Sequence, residues 1–125
     1  HYDVTTDKGA IRASFCTDPA IKNTPFNFIS EAFASALAVV ALGTFSTIET
    51  GLGPFMVGIL VWAVGLGLGG TTGYAINPAR DLGPRIMHAI LPIPNKGDSS
   101  WEYAWIPVLG PAAGAVLGAF ILTLN

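Results

Sequence analysis

The stretch TTGYAINPARDLGP, residues 71–84, decides the fold of this chain. Within it, Asn77 can cap a helix, and Pro78 suits the first helical position. The apolar residues that follow lie on one face of a predicted helix over residues 78–90, which is too short to cross a bilayer. Beside a full span, such a half-helix survives at membrane depth only when it is buried in protein or lines a water-filled cavity. The stretch therefore indicates a pathway through a membrane.

On either side of this stretch, long apolar windows alternate with polar connections. The windows cover residues 26–48, 55–76 and 103–124, and each exceeds the ~20 residues that a helix needs to cross the hydrocarbon core. Hydrophobic residues make up 51% of the 125-residue chain and charged residues only 11%, against roughly a quarter in soluble domains. The sequence predicts an all-α membrane protein with three spanning helices.

The segments outside the windows give the order of the chain. Residues 1–25 are predicted to be a loop because turn-forming residues dominate them, and their charges argue against a signal peptide. The connection over residues 49–54 is short, so the first two spans are expected to be antiparallel neighbours. Because the chain starts at His1 within a loop, we expect it to belong to a longer sequence.

Glycines recur at every fourth position in two of the windows. That spacing places them on one helical face, where small residues let helix backbones approach closely in lipid. We predict tight helix packing at both sets, rather than helices that are merely weakened by glycine. The sets are Gly65, Gly69 and Gly73 in the second window, and Gly110, Gly114 and Gly118 in the third.

Arg80 is the residue of the half-helix whose position most needs an explanation. An arginine beside an apolar span is costly in lipid and marks an ion or substrate path by default, although a snorkelling arginine at the interface is an alternative. Its guanidinium offers five donors in a fixed fork, and the positive end of the half-helix dipole adds to the same field. The preceding Gly73, Tyr74 and Ala75 are predicted to leave helical geometry and free their carbonyls. Together these features favour the passage of neutral solutes and the exclusion of cations and protons.

Composition narrows the other classes of function. The net charge of −2 leaves no basic patch, so we predict no nucleic-acid partner. The single cysteine, Cys16, cannot form an internal disulfide, and no cysteine pair, histidine pair or acidic cluster supports a metal site. No cofactor is expected. An enzyme is the least favoured class because no nucleophile has a base at motif spacing.

The residues around the half-helix closely resemble a known family. The run NPARD at 77–81, preceded by TGY at 72–74 and followed by Gly83 and Pro84, is similar to the second Asn-Pro-Ala box of the aquaporin superfamily. The aspartate after the arginine resembles the glycerol-facilitator branch, since water-selective members usually carry a small residue there. Arg85 and the pair Pro107 and Val108 are also similar to that branch.

The resemblance covers residues 26–125 and implies an aquaporin-like right-handed helical bundle. This chain would supply the C-terminal repeat, with three transmembrane helices and one re-entrant half-helix. The family's first Asn-Pro-Ala box does not occur in the sequence, so the resemblance implies an N-terminal half of related sequence and opposite topology. Alone, the chain is not expected to form a working channel.

Carried over position by position, the resemblance makes Arg80 and Tyr74 residues of the selectivity filter. Gly65 stands where water-specific members usually have a filter histidine, which implies a wider pore that suits a polyol. Val61, one turn from Gly65, is predicted to line the apolar side of the pore. The remaining pore residues that the resemblance implies are the box Asn77, Pro78 and Ala79 and the carbonyls of Gly73, Tyr74 and Ala75.

Three further ionisable residues are assigned structural roles. The resemblance implies that Glu31 is a buried acceptor for backbone N–H groups of the half-helix loop, rather than a proton relay. Asp81 is expected to orient the loop beside Arg80, and His88 to be an ordinary residue of the half-helix.

The function that follows is a passive channel for glycerol, other small neutral solutes and water, which excludes ions and protons. The resemblance implies a homotetramer in the lipid bilayer of the plasma membrane, here a bacterial inner membrane. A water-selective channel is an alternative, because Tyr74 narrows the pore. A non-conducting half-length protein that only associates with partner helices is another.

Charge alone gives the opposite orientation to the resemblance. The basic residues all lie on one side of the two-span hairpin, and the positive-inside rule makes that side cytoplasmic. The resemblance makes it extracellular, and we follow the resemblance because the arginines near the pore serve the lumen. These residues are Lys8, Arg12, Lys22, Arg80, Arg85 and Lys96.

Overall fold

The structure is a computed structural model that describes residues 5–45, 48 and 51–124. Within these ranges the secondary structure is helical, and no strand occurs. The helices are α1 (Lys8–Ala13), α2 (Thr24–Phe45), α3 (Gly53–Thr72), α4 (Pro78–Ile90) and α5 (Ile106–Leu122). Helix α2 lies at the centre, with α5 packed along most of it and α3 beside it, while α4 packs on α5.

The helix lengths differ from the predicted windows mainly at their ends. Helices α2 and α3, with 22 and 20 residues, are long and apolar enough to cross a membrane. Helix α5 has only 17 residues, because residues 101–105 form turns before Pro107 enters the first helical turn. The prediction of a third helix over 103–124 is therefore too long. The half-helix α4 occupies the predicted residues 78–90.

Part of the first predicted connection cannot be compared with the structure. Residues 46 and 47 of the first window, and residues 49 and 50 of the connection, lie outside the described residues, as do residues 1–4 and 125.

The segment before α2 contains a short helix, so the prediction of a loop throughout residues 1–25 is wrong. The Asp7 carboxylate accepts hydrogen bonds from the backbone N–H groups of Gly9 and Ala10, at 2.9 and 3.1 Å, and so caps α1. Ile11 anchors the six-residue helix through a side chain that is fully buried. One cap and one buried apolar residue leave no periodic pattern, which is why the sequence gives little sign of this helix.

The glycine triplet of α5 packs against α2 as predicted. A β-carbon added at Gly110 would lie 2.8 Å from the Glu31 β-carbon, and one added at Gly118 would lie 2.8 Å from the Ala36 carbonyl oxygen. At Gly114 the added atom would collide with the carbonyl oxygen of Ala32. Only glycine permits this backbone contact, which brings α5 directly against α2 beside Glu31.

The triplet of α3 behaves differently, and the prediction of helix packing there is wrong. Gly73 is not helical: with φ of 79° it adopts the left-handed conformation that ends α3. Gly65 and Gly69 are covered by the ring of Tyr74 instead of by a neighbouring helix. The left-handed turn at Gly73 folds the chain back along α3, and this reversal places the ring on the two glycines.

Candidate functional site

One open groove brings together most of the predicted pore residues. Its volume is about 170 Å³, and its lining residues are Val61, Tyr74, Ala75, Ile76, Asn77 and Arg80. The groove lies between the middle of α3 and the N-terminus of α4. Along the chain these residues belong to two helices and the extended segment between them, so the turn at Gly73 is what assembles the groove.

Arg80 presents its guanidinium to this groove. Its Cζ atom lies 5.4 Å from the centre of the Tyr74 ring, within the range of a cation–π contact. The ion pairs between described residues do not include Arg80, which is exposed in this chain. The side chain therefore keeps a positive charge and its hydrogen-bond donors available at the groove.

The backbone between α3 and α4 is held in an unusual conformation. Tyr74 and Ile76 have positive φ values of 43° and 44°, which are rare for bulky and β-branched residues. The buried Glu31 carboxylate accepts hydrogen bonds from the N–H groups of Ala75 and Ile76, at 2.9 and 2.8 Å. It also accepts one from the Thr72 hydroxyl at 2.6 Å. These charge-assisted bonds hold the segment against α2.

The predicted carbonyl ladder is only partly exposed. No hydrogen bond between described residues ends on the carbonyl oxygens of Gly73, Tyr74 or Ala75. Gly73 and Tyr74 are half-buried, but Ala75 is 0% exposed. Ala75 nevertheless lies among the lining residues of the groove, and its N–H group is bonded to Glu31, so the role of its carbonyl stays a prediction.

Asn77 caps the half-helix and borders a second, larger cavity. Its side-chain oxygen accepts a hydrogen bond from the N–H group of Ala79 at 2.9 Å, which leaves its amide NH₂ as a donor. The cavity, of about 450 Å³, is lined by Asn77, Pro78, Ser35 and apolar residues of α2, α3 and α5, among them Val61. Val61, Ile76 and Asn77 line both spaces, so the groove and the cavity adjoin each other at the start of α4.

Asp81 and Arg85 form a buried ion pair on the opposite side of α4. The Asp81 carboxylate accepts bonds from the Nε and Nη2 atoms of Arg85, at 2.7 and 2.8 Å, and both residues are 0% exposed. Asp81 also accepts from the N–H group and hydroxyl of Thr17, at 2.7 and 2.6 Å. Arg85 donates to the carbonyls of Thr17, Ser99 and Ser100. The pair thereby ties the segments before α2 and after α4 to the half-helix.

The far end of α4 is fixed by a lysine and a histidine. Lys96 Nζ donates to the carbonyls of His88, Ala89 and Leu91 at 2.6–2.7 Å, which neutralises the helix C-terminus. His88 is fully buried, pairs with the Ser99 hydroxyl at 2.8 Å and packs edge-on against Phe15. Among the described residues no group of histidine, cysteine and acidic side chains could hold a metal ion.

Comparison with known proteins identifies the family of this chain. The sequence model of the major intrinsic protein family matches residues 19–122. The chain belongs to the major intrinsic protein family. This assignment confirms the predicted resemblance and the all-helical membrane fold, since the half-helix and its Asn-Pro-Ala box lie within the matched region.

Similar members of the major intrinsic protein family include several bacterial transport proteins. The chain is 56% identical to a glycerol uptake facilitator protein of Streptococcus pneumoniae, over 99% of its own length and 54% of that relative. It is 52% identical to glycerol uptake facilitator protein 3 of Lactiplantibacillus plantarum, over 99% of this chain and 52% of the relative. A D/L-lactic acid transporter of the same organism is 48% identical, over 98% of this chain and 53% of the relative. The chain thus spans about half the length of the curated relatives it matches.

Sequence reasoning missed the contacts that hold the half-helix on its side facing away from the groove. The expectation that both arginines near the pore serve the lumen is wrong for Arg85, which is buried and paired with Asp81. The sequence analysis gives no sign of the contacts that Thr17 and Ser99 make with it. The charge of Arg85 inside a short apolar helix was the available signal, because a buried arginine requires a carboxylate partner. The i, i+4 spacing to Asp81 points to that partner.

Proposed function

We propose that this chain forms the C-terminal half of a passive transmembrane channel. The permeants are glycerol and other small neutral solutes together with water, and ions and protons are excluded. The observation that carries the proposal is the groove in which Arg80, Tyr74, Val61 and the start of α4 meet. The family membership and the names of the relatives support the same reading.

The two sides of the groove suit the two sides of a linear polyol. Glycerol has a hydroxyl edge and a carbon edge. Arg80 and the half-buried backbone at Gly73 and Tyr74 offer donors and acceptors for the hydroxyl edge. Val61 and the Tyr74 ring offer apolar surface for the carbon edge. Each hydroxyl needs a partner, because an unpaired polar group in a narrow apolar pore costs several kcal/mol, of the order of a lost hydrogen bond or more.

Exclusion of ions follows from the charges at the same place. The Arg80 charge lies at the groove, and α4 directs its positive N-terminal end toward Asn77. The two fields repel cations and protons, whereas a neutral solute experiences neither penalty. When the second half closes the groove, the passage also requires an anion to shed its water, for which one arginine is an incomplete replacement.

The complete channel in this proposal needs more than this chain. A second half of related sequence and opposite topology supplies the first Asn-Pro-Ala box and closes the groove. In this proposal the protein acts in the bacterial plasma membrane as a homotetramer in which each protomer has its own pore. Neither nucleic acid nor a cofactor takes part.

The test is permeability of proteoliposomes that contain the full-length protein, measured by stopped-flow light scattering for glycerol and for water. We expect fast uptake of both and no increase in salt permeability. Gly65→Leu should abolish glycerol uptake, because the leucine would enter the space now filled by the Tyr74 ring tip. Gly67→Leu is the matched control, since an added β-carbon there meets no atom within 4 Å.

The remaining outcomes separate the alternatives. Fast water flux with glycerol excluded would favour a water-selective channel, for which the Tyr74 ring in the space beside Gly65 is the supporting observation. Absence of either flux in a correctly inserted protein would favour a non-conducting protein that only associates with partner helices.

A further inference from the structure

The ring of Tyr74 lies lengthwise on α3 over two glycines. A β-carbon added at Gly69 would lie 2.7 Å from Cδ1 and 3.2 Å from Cε1 of the ring. One added at Gly65 would lie 3.1 Å from Cζ and 3.4 Å from the hydroxyl oxygen. The root of the ring therefore lies over Gly69 and its tip over Gly65. Their spacing of four residues matches the length of the ring along one helical turn.

The two glycines tolerate substitution to different degrees. Ordinary contact begins at 3.4 Å, so an alanine at position 69 would require Cδ1 to retreat by 0.7 Å, from 2.7 Å. At position 65 the closest ring atom, Cζ, would need to move by only 0.3 Å, from 3.1 Å. The root of the ring is also tied to a backbone held at φ of 43° by the neighbouring bonds to Glu31. A β-carbon at Gly69 must therefore push the whole ring away from α3.

Displacement of the ring changes the groove on which the proposed function depends. Tyr74 lines the groove, and the Arg80 guanidinium rests over the same ring. A ring that moves off α3 enters the passage and shifts the arginine with it. Glycerol is wider than water, so the narrowing acts on glycerol first.

We propose that Gly69 is a positioning residue for solute selection: by lacking a side chain it seats Tyr74 against α3 and so sets the width of the passage. Gly69 itself does not line the groove and acts only through the ring. This inference rests on the proposed function and adds to it a residue outside the groove.

The test compares Gly69→Ala with Gly70→Ala in proteoliposomes of the full-length protein. Both changes raise helix propensity equally, but a β-carbon at Gly70 meets no atom within 4 Å. We expect Gly69→Ala to lower glycerol permeability by about tenfold, the rate change of a barrier raised by about 1.4 kcal/mol, and water permeability by less than about twofold. Gly70→Ala should match the unmodified protein for both solutes.

A double-mutant cycle distinguishes seating of the ring from a general packing role. In a Tyr74→Ala background there is no ring to displace, so adding Gly69→Ala should leave the glycerol-to-water ratio unchanged. An equal loss in both backgrounds would overturn the inference, as would equal permeabilities of Gly69→Ala and Gly70→Ala. If Gly69→Ala alone fails to insert, recovery of insertion in the double variant supports the inference, and failure of both variants refutes it. Absence of glycerol flux in the unmodified protein would instead refute the proposed function.

Discussion

Replacement of Glu31 by glutamine tests how the backbone between α3 and α4 is held in place. The carboxylate accepts three hydrogen bonds, from the Thr72 hydroxyl and from the N–H groups of Ala75 and Ile76. Glutamine preserves the size and shape of the side chain but has only one acceptor oxygen. Its NH₂ group must then face at least one backbone N–H group, so two donors confront each other.

The size of the effect follows from these three bonds. Loss of one hydrogen bond to a charged acceptor costs about 1.5–3 kcal/mol, and the other two bonds weaken when the acceptor becomes neutral. The variant also avoids the desolvation of a buried carboxylate, which offsets part of the loss. We expect a net destabilisation of about 2 kcal/mol for a group that is 0% exposed.

The assay combines thermal unfolding of the full-length protein in detergent with glycerol uptake in proteoliposomes. Tyr74 lies within the segment that Glu31 holds, so a looser segment should lower both the unfolding temperature and the glycerol-to-water ratio. If the variant inserts normally but has a lower glycerol-to-water ratio, the Glu31 carboxylate holds the backbone geometry that the proposed channel requires.

The matched control is Ser35→Ala, one turn further along α2. The Ser35 hydroxyl is buried and has no hydrogen-bond partner among the described residues, so its removal should leave the unfolding temperature unchanged. Because Ser35 lines the larger cavity, it serves as the control for stability only, and the unmodified protein is the reference for permeability. If Glu31→Gln unfolded at the same temperature as Ser35→Ala and kept the glycerol-to-water ratio of the unmodified protein, the argument for the role of Glu31 would be refuted.

Three further changes test the charges of the bundle. Arg80→Ala should increase salt permeability while glycerol still passes, because the positive charge at the groove is removed; an unchanged ion leak in liposomes would contradict this role. Arg85→Lys should destabilise the protein by roughly 3 kcal/mol, since an ammonium cannot make both bonds to Asp81 and still reach three carbonyls; limited proteolysis between α1 and α2 provides the readout. Glu102→Gln should leave the unfolding temperature unchanged at neutral pH. The exposed Lys22 donates a hydrogen bond to Glu102 and lowers the pKa of its carboxyl group. Any stabilisation by this pair is therefore present above the ordinary carboxyl pKa and is lost as the pH falls. A clear drop in the unfolding temperature of Glu102→Gln at neutral pH would show that solvent does not screen the pair.

Local signals were sufficient to predict the half-helix. Asn77 and Pro78 are adjacent start signals, and the structure begins α4 at Pro78 with an Asn77 cap. The glycine face of α5 could be predicted as well, because a strict spacing of four residues encodes one helical face. Both features depend on residues that are close in sequence, so no knowledge of the tertiary fold was required.

Contacts between residues that are distant along the chain could not be predicted from the sequence. Arg85 and Thr17 are 68 residues apart, and no periodicity connects them. The seat of Tyr74 on α3 depends on left-handed backbone at Gly73 and Tyr74, and the spacing of the glycines alone suggested helix packing instead. The contact of Glu31 with the pore backbone came from the family resemblance, since an acidic residue in a span could equally have been a proton relay.

The two arginines of α4 explain why the groove carries a net positive field. They are five residues apart, which on a helix places them about 140° from each other around the axis. Arg85 is buried, and Asp81 neutralises its charge within 2.8 Å. Arg80 is exposed at the groove and has no carboxylate among the described residues within ion-pair distance. Because the buried charges cancel, they fix the position of the half-helix without adding a net charge beside the groove, and the Arg80 charge alone sets the positive field there.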